Sequence, residues 1–212
     1  MRSKTHKDWR LFLAALLMWP GAVSNSYAIV SVTVDIKPYN DGFVMARADG
    51  MLTWTDIDGN AIDSIKLKTE IAGIDVRDGR VLAVSPDCRI LSVERGGRSR
   101  QLCPSRIKGA TVVGIACTES QTLILTEGGM IYGTADFDSF KVFDFNGTYS
   151  SYYDETRFSA ISASDNFIYI AGTYHNGMPA VFTSAKGNIW SERNLSYTDG
   201  GDNLMLEHQP LG

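Results

Sequence analysis

The chain has 212 residues, 44% of them hydrophobic and 21% charged, with 20 Lys+Arg against 24 Asp+Glu and a formal charge of −4. That length and apolar content suit one well-buried domain, and no low-complexity tract or Pro-rich linker divides it. The basic stripe of a nucleic-acid binder is missing.

Arg2, Lys4, Lys7 and Arg10 precede an apolar run from Leu11 to Val23, and Ser26-Tyr27-Ala28 puts small residues where a signal peptidase reads. Residues 1–28 therefore read as a secretory signal cleaved after Ala28, with Ile29 the first mature residue. A membrane anchor is the alternative, but a spanning helix needs roughly 20 apolar residues. This run has 13, broken by Pro20 and Gly21. No cysteine stands near the cleavage site to be lipidated, so a secreted or periplasmic protein is expected, with no membrane association after cleavage. The leader holds four of the basic residues and one acidic, which leaves 184 residues at a formal charge of −7.

From Val30 to Tyr197 one pattern occurs four times: strand, turn, apolar strand, tight turn, third strand, outer turn, fourth strand. The tight turns recur at intervals of about 37, 42 and 49 residues, in the range of propeller blades. The innermost strands are short and small: Val30 to Val34, Gly73 to Val76, Gly114 to Cys117 and Ala160 to Ala163. Small residues suit strands that line a crowded central channel. Cys117 holds the place of Val76 and Ala163 and reads as packing rather than as a reactive thiol.

The second strands are nearly continuous apolar runs, Phe43 to Ala46, Val81 to Val84, Leu123 to Leu125 and Phe167 to Ala171. Such runs suit strands buried on both faces between blades. Asp49-Gly50, Pro86-Asp87, Gly128-Gly129 and Asn176-Gly177 then mark hairpin turns. Third strands follow as Met51 to Thr55, Arg89 to Val93, Met130 to Thr134 and Ala180 to Ser184.

The outer turn of the last unit reads Thr183-Ser184-Ala185-Lys186-Gly187-Asn188-Ile189-Trp190. It resembles the Asp-box, Ser/Thr-x-Asp-x-Gly-x-x-Trp, of BNR-repeat propellers in the sialidase-like superfamily. Weaker copies carry Thr55 and Gly59, Ser92 and Gly96, and Thr134 with Asp136. The resemblance implies a folding device: hydroxyl and Asp bond to turn backbone, Gly takes the tight conformation, and Trp packs between strands. A β-sandwich or an up-and-down barrel would also give short strands, but neither predicts turns in this order. The expected fold is all-β and propeller-like, about four four-stranded antiparallel blades, either closed as a small four-bladed ring or left as an incomplete one. The blades fall at about 29–70, 71–109, 110–155 and 156–198, with 199–212 a tail or the start of a further blade. A blade face without a neighbour is left bare, so the expectation is a portion of a larger propeller or a ring completed by a partner.

The resemblance also implies what an enzyme of this family would need: three arginines gripping a carboxylate, a Tyr-Glu nucleophile pair and an Asp acid. The family's Arg-Ile-Pro motif has no match, and arginines cluster instead at 95, 98, 100 and 106 as a charged outer edge. Asp56-Ile57-Asp58-Gly59-Asn60 resembles the start of a calcium loop, but Ile65 stands where the bidentate Glu belongs. No catalytic, metal or cofactor site is expected. If Arg95 to Arg98 form a turn, residue 90 faces 103, and a disulfide from Cys88 to Cys103 is within diagonal reach.

Tyr149, Tyr152, Tyr153 and Tyr174 lie in the widest connections and form the candidate ligand-contact loop, against the alternative that they cap the apolar end of a blade. Asn146-Gly147-Thr148 and Asn194-Leu195-Ser196 are glycosylation acceptors only in a eukaryotic source. The expected role is a non-catalytic binding or scaffold module for an extracellular or periplasmic protein or glycan. The alternatives are a fragment of a larger glycoside hydrolase propeller and a non-functional fragment.

Overall fold

The computed structural model of the protein describes residues 32–103, 110–164, 166–196 and 205–208. The expected leader, Arg106, the side chain of Asn194 and most of the tail lie outside them.

Among the described residues four antiparallel sheets form from consecutive strands, three of them four-stranded and the last five-stranded. The first holds β1 (Thr33–Tyr39), β2 (Gly42–Arg47), β3 (Met51–Thr55) and β4 (Ala61–Lys66). The second holds β5 (Gly73–Arg77), β6 (Arg80–Val84), β7 (Ile90–Glu94) and β8 (Arg98–Cys103). The third holds β9 (Val112–Cys117), β10 (Thr122–Thr126), β11 (Met130–Thr134) and β12 (Lys141–Asp144). A one-turn helix, α1 (Phe145–Tyr149), leads to β13 (Thr156–Ala163), β14 (Ile168–Tyr174), β15 (Pro179–Ser184) and β16 (Ser191–Ser196). The inner strands β1, β5, β9 and β13 pack side by side in that order. The protein is a four-bladed β-propeller.

Two strands differ from expectation. β1 runs on through Lys37-Pro38-Tyr39 and turns at Asn40, whose φ is 52°. Pro38 is tolerated because β1 is an edge strand with no ladder bond to lose on its channel side. In the tail, β17 (Met205–His208) pairs with β16 and gives the fourth blade a fifth strand.

Three buried clusters fill the junctions between successive blades. Tyr39, Leu52, Trp54, Ile74 and Val93 lie between the first and second, and Leu82, Cys88, Ile90, Cys103, Ile115 and Ile124 between the second and third. Leu125, Phe145, Phe158, Phe182 and Trp190 lie between the third and fourth. The strands closest to the channel approach tightly: a Cβ on Gly73 would lie 3.0 Å from the Cα of Gly114. Small residues are required there, as their sequence suggested.

Burial of the second strands departs from the sequence reading in an ordered way. All of β10 and all of β6 after Arg80 are buried, as expected for strands covered on both sides. β2 instead alternates between buried and half-buried, and Tyr169 in β14 is 38% exposed. Among the described residues, no buried cluster covers the outward faces of the two end blades.

Candidate functional site

The third-to-fourth connection is built from local capping. The carboxylate of Asp144 accepts the Gly147 N–H at 2.9 Å and starts α1. The carbonyl of Tyr149 then accepts from both Tyr152 N–H (2.8 Å) and Tyr153 N–H (3.0 Å), which ends the helix in a tight turn. Asn146 uses its whole amide across the blade junction, donating to the carbonyls of Gly128 and Thr156 and accepting from Thr156 N–H. That side chain is a brace, a role its glycosylation motif had not indicated.

This geometry separates the four tyrosines. Tyr149 turns into the core beside Phe145, centroids 4.9 Å apart, and its hydroxyl accepts the Trp190 N–H at 2.8 Å. It caps the apolar end of the blade, the alternative reading of that loop. Tyr152, Tyr153 and Tyr174 instead line one cleft of about 380 Å³, together with Ser150, Ser151, Asp154 and Glu192. Tyr153 leans on Phe182, centroids 5.0 Å apart, so its ring is held from behind. Tyr152 is 72% exposed at the mouth. Tyr174 donates to Glu192 Oε1 at 2.7 Å, and burial, with Glu192 beside it, holds its phenol protonated well above the usual tyrosine range. The cleft offers aromatic faces and carboxylates, and no basic residue among the described ones lines it. Asp154 and Glu192 were missed in sequence because each reads as an ordinary turn or edge acid.

A second feature missed in sequence lies at the channel. Asp35 Oδ2 accepts the Ile74 N–H of the next blade at 3.0 Å, and Asp75 Oδ2 accepts the Cys117 N–H of the blade after at 2.6 Å. Each carboxylate thus ties one inner strand to its successor. Burial raises both carboxyls above the ordinary Asp value; Lys37, 3.7 Å from Asp35, and the backbone N–H bonds pull the other way. In the inner strand of the third blade Ala116 stands where Asp75 stands in the second, and its junction relies on aromatic packing instead.

A raised carboxyl binds its proton more tightly in the folded chain than in the unfolded one. Its contribution is complete below the ordinary Asp pKa and is lost as pH rises through the folded-state value. These two groups should therefore make the protein more stable on acidification from about pH 7 toward pH 4. Asp75→Asn, which keeps an acceptor oxygen for Cys117, is expected to flatten that trend in thermal midpoints read across pH. Lys37→Met is expected to cost about 1–3 kcal/mol near neutral pH by leaving both carboxylates without their cation.

The cysteines are not bridged. Ile90 does face Cys103, but through a three-residue turn, Arg95-Gly96-Gly97, followed by a bulge. Cys88 sits outside the strand, in the Ser85–Arg89 turn at φ 63°, so the strand diagonal that would have joined it to Cys103 does not apply. Burial, and then the nearby Cys103, push the Cys88 thiol up to about 12. Cys117 is also pushed up to about 12, by burial and then by Asp75, so neither is an activated nucleophile.

Among the described residues, a side-chain oxygen of the outer turn itself accepts from turn backbone in the first, third and fourth blades, and in the first and fourth it stands one residue later than the aligned motif places it. In the third blade Thr134 Oγ1 accepts the Phe137 N–H at 2.8 Å, and Asp136 accepts from Asp138 and Ser139. Phe137, not Asp138, takes the left-handed conformation, with φ 65°. In the fourth blade the acceptor for Gly187 N–H is Ser184 at 2.8 Å, one residue after Thr183, whose hydroxyl accepts from Arg193 instead. In the first blade Asp56 rather than Thr55 makes the turn, accepting from the Asp58 and Asn60 N–H groups, with Gly59 at φ 85°. That wraps the Asp56 carboxylate on its own backbone, as in a hairpin turn. Ser92 lies within β7, and the turn beyond is made by Gly96 and Gly97 at φ 96° and 91°. The third strands run further out than the aligned motif assumed, and the turn begins later. Ile62, in the Trp place of the first unit, is 44% exposed, whereas Trp190 is fully buried.

No family model matches the chain, and no curated protein matches it in sequence. Solved structures do. A computationally designed protein, Ika4, has a TM-score of 0.51 at 16% identity over 77% of this chain and 98% of its own. YCF48 bound to D1 peptide scores 0.53 at 15% identity, over 80% of this chain and 55% of its own. The Pan2 WD40 domain of Neurospora crassa scores 0.51 at 11% identity, over 71% and 48%. The likeness is one of fold. The chain spans about half the length of the two natural proteins.

Proposed function

We propose that the chain is a non-catalytic binding module of the secreted or periplasmic space, and that its ligand is a basic segment of a partner protein held in the Tyr152–Tyr153–Tyr174 cleft. The observation that carries this reading is the pairing of tyrosine faces with Asp154 and Glu192 in one opening. A Lys or Arg side chain satisfies both, its charge against the carboxylates and its cationic head over a ring. YCF48, similar in fold, is a propeller solved with a peptide bound. The outer-turn geometry at Thr134–Asp136 and Ser184–Gly187 supports kinship with Asp-box propellers.

The rival reading, a portion of a glycoside hydrolase, requires arginines converging on one carboxylate. Arg95, Arg98 and Arg100 lie exposed on the β7–β8 hairpin, which weighs against it. Titration of the purified protein against arrays of basic, neutral and acidic peptides and of oligosaccharides tests the proposal. Basic peptides are expected to bind, and Tyr152→Ala or Glu192→Gln to weaken them by about tenfold or more while leaving the thermal midpoint in place. Capture of oligosaccharides alone, or peptide binding indifferent to both substitutions, would overturn it.

A further inference from the structure

The three blade junctions each enclose a hydrophobic cluster, and among the described residues no such cluster joins the fourth blade to the first. The two faces that would meet there are apolar and open. On the first blade Val34 and Ile36 are 38% and 40% exposed, with Phe43 and Met45 half-buried beside them. On the fourth, Phe167 and Tyr169 are 40% and 38% exposed, with Ala171 and Val181 half-buried. Each is the face that an inner blade keeps covered.

We infer that these faces close on a second copy of this chain, the fourth blade of each copy packing against the first blade of the other to form an eight-bladed ring. The internal junctions show what covers such a face: another blade, docked inner strand against inner strand. Because the two open faces are opposite ends of one repeat, the contact is head-to-tail, and head-to-tail contacts close into rings when the rotation allows. Propellers hold roughly four to eight blades, which two copies satisfy and three would exceed. The four blades also superpose on about half of YCF48 and of the Pan2 domain, 55% and 48% of their lengths. A blade face of four strands about 4.8 Å apart and about five residues long covers roughly 300 Å². Two junctions with two faces each then bury on the order of 1,200 Å², within the range of stable interfaces.

The test is the mass of the full chain, purified from the cells that express it, by light scattering. Twice the mass that mass spectrometry gives for the single polypeptide is expected. Two variants fix the arrangement: Val34→Lys/Ile36→Lys on the first blade and Phe167→Lys/Tyr169→Lys on the fourth. Each alone is expected to be monomeric, with the far-ultraviolet circular dichroism of the parent, since the changes are at exposed positions. Mixed in equal amounts they should regain dimers, because one junction in the mixed pair pairs two intact faces. A monomeric parent chain would overturn the inference. So would a dimer that survives either double substitution, variants that fail to regain dimers on mixing, or a parent chain that purifies in complex with a different protein.

Discussion

Replacing Trp190 with alanine is expected to cost about 3–5 kcal/mol, the range for emptying a large aromatic site in a core. The indole is fully buried between the third and fourth blades, 6.2 Å by centroid and nearly perpendicular to Phe145, in a cluster that also holds Phe158 and Phe182. Its backbone N–H bonds to the hydroxyl of Tyr149, a contact the alanine variant keeps, so the loss is one of packing. A domain of this kind has about 5–15 kcal/mol in all. The variant should therefore show a large fall in urea midpoint and a near-ultraviolet signal lost ahead of the far-ultraviolet one. The indole Nε1 meets no acceptor among the described residues, so Trp190→Phe gives up contact area but no hydrogen bond. Its expected cost is about half as large. A loss under about 1 kcal/mol for the alanine variant would mean that the aromatic cluster does not hold this junction.

Gly172→Ala is the second large effect, and its cause is backbone rather than packing. Gly172 pairs with Phe158 in β13 and Ala180 in β15, beside the bulge between Phe158 and Ala160. A Cβ there would lie 2.2 Å from the carbonyl oxygen of Arg157 and 2.8 Å from the Cα of Phe158. Neither atom belongs to a side chain that could rotate away, so the β13–β14 pairing must open, at about 3 kcal/mol. Gly177→Ala makes the comparison informative. That position has no atom within 4 Å of the added carbon but sits at φ 82°, so its cost is conformational, about 1–2 kcal/mol. Equal losses for the two variants, read from denaturation midpoints, would show that strand pairing at Gly172 yields more easily than the geometry implies.

Much of the fold was legible because its signals are local. Asp49-Gly50, Gly128-Gly129 and Asn176-Gly177 each place a glycine at positive φ in a tight turn, a matter of a few residues and their own backbone. The third strands Met51–Thr55 and Met130–Thr134 follow directly from those turns. What sequence could not supply is which face of a strand finds a neighbour. Phe43-Val44-Met45 reads as apolar as Val81-Leu82-Ala83, yet only the second is covered on both sides, because coverage belongs to the adjacent blade. The phase of the outer turns was one residue out at Thr55 and Thr183, since a hydroxyl or carboxylate at either of two successive positions satisfies the motif. Of the four tyrosines named for the contact loop, three line the cleft. Glu192 comes from a distant strand, and only the folded blade brings it to Tyr174.

Among the described residues each blade is made from consecutive strands, and the first contains no strand from the fourth. Every hairpin therefore closes over a short stretch of chain, and each junction forms between segments that are neighbours in order of synthesis. The entropy of closing long loops, which slows many β proteins, is largely avoided. The first blade can complete its pairings and offer Trp54 to Ile74 and Val93 before the fourth exists, so order should spread from the first junction toward Trp190 as the chain emerges.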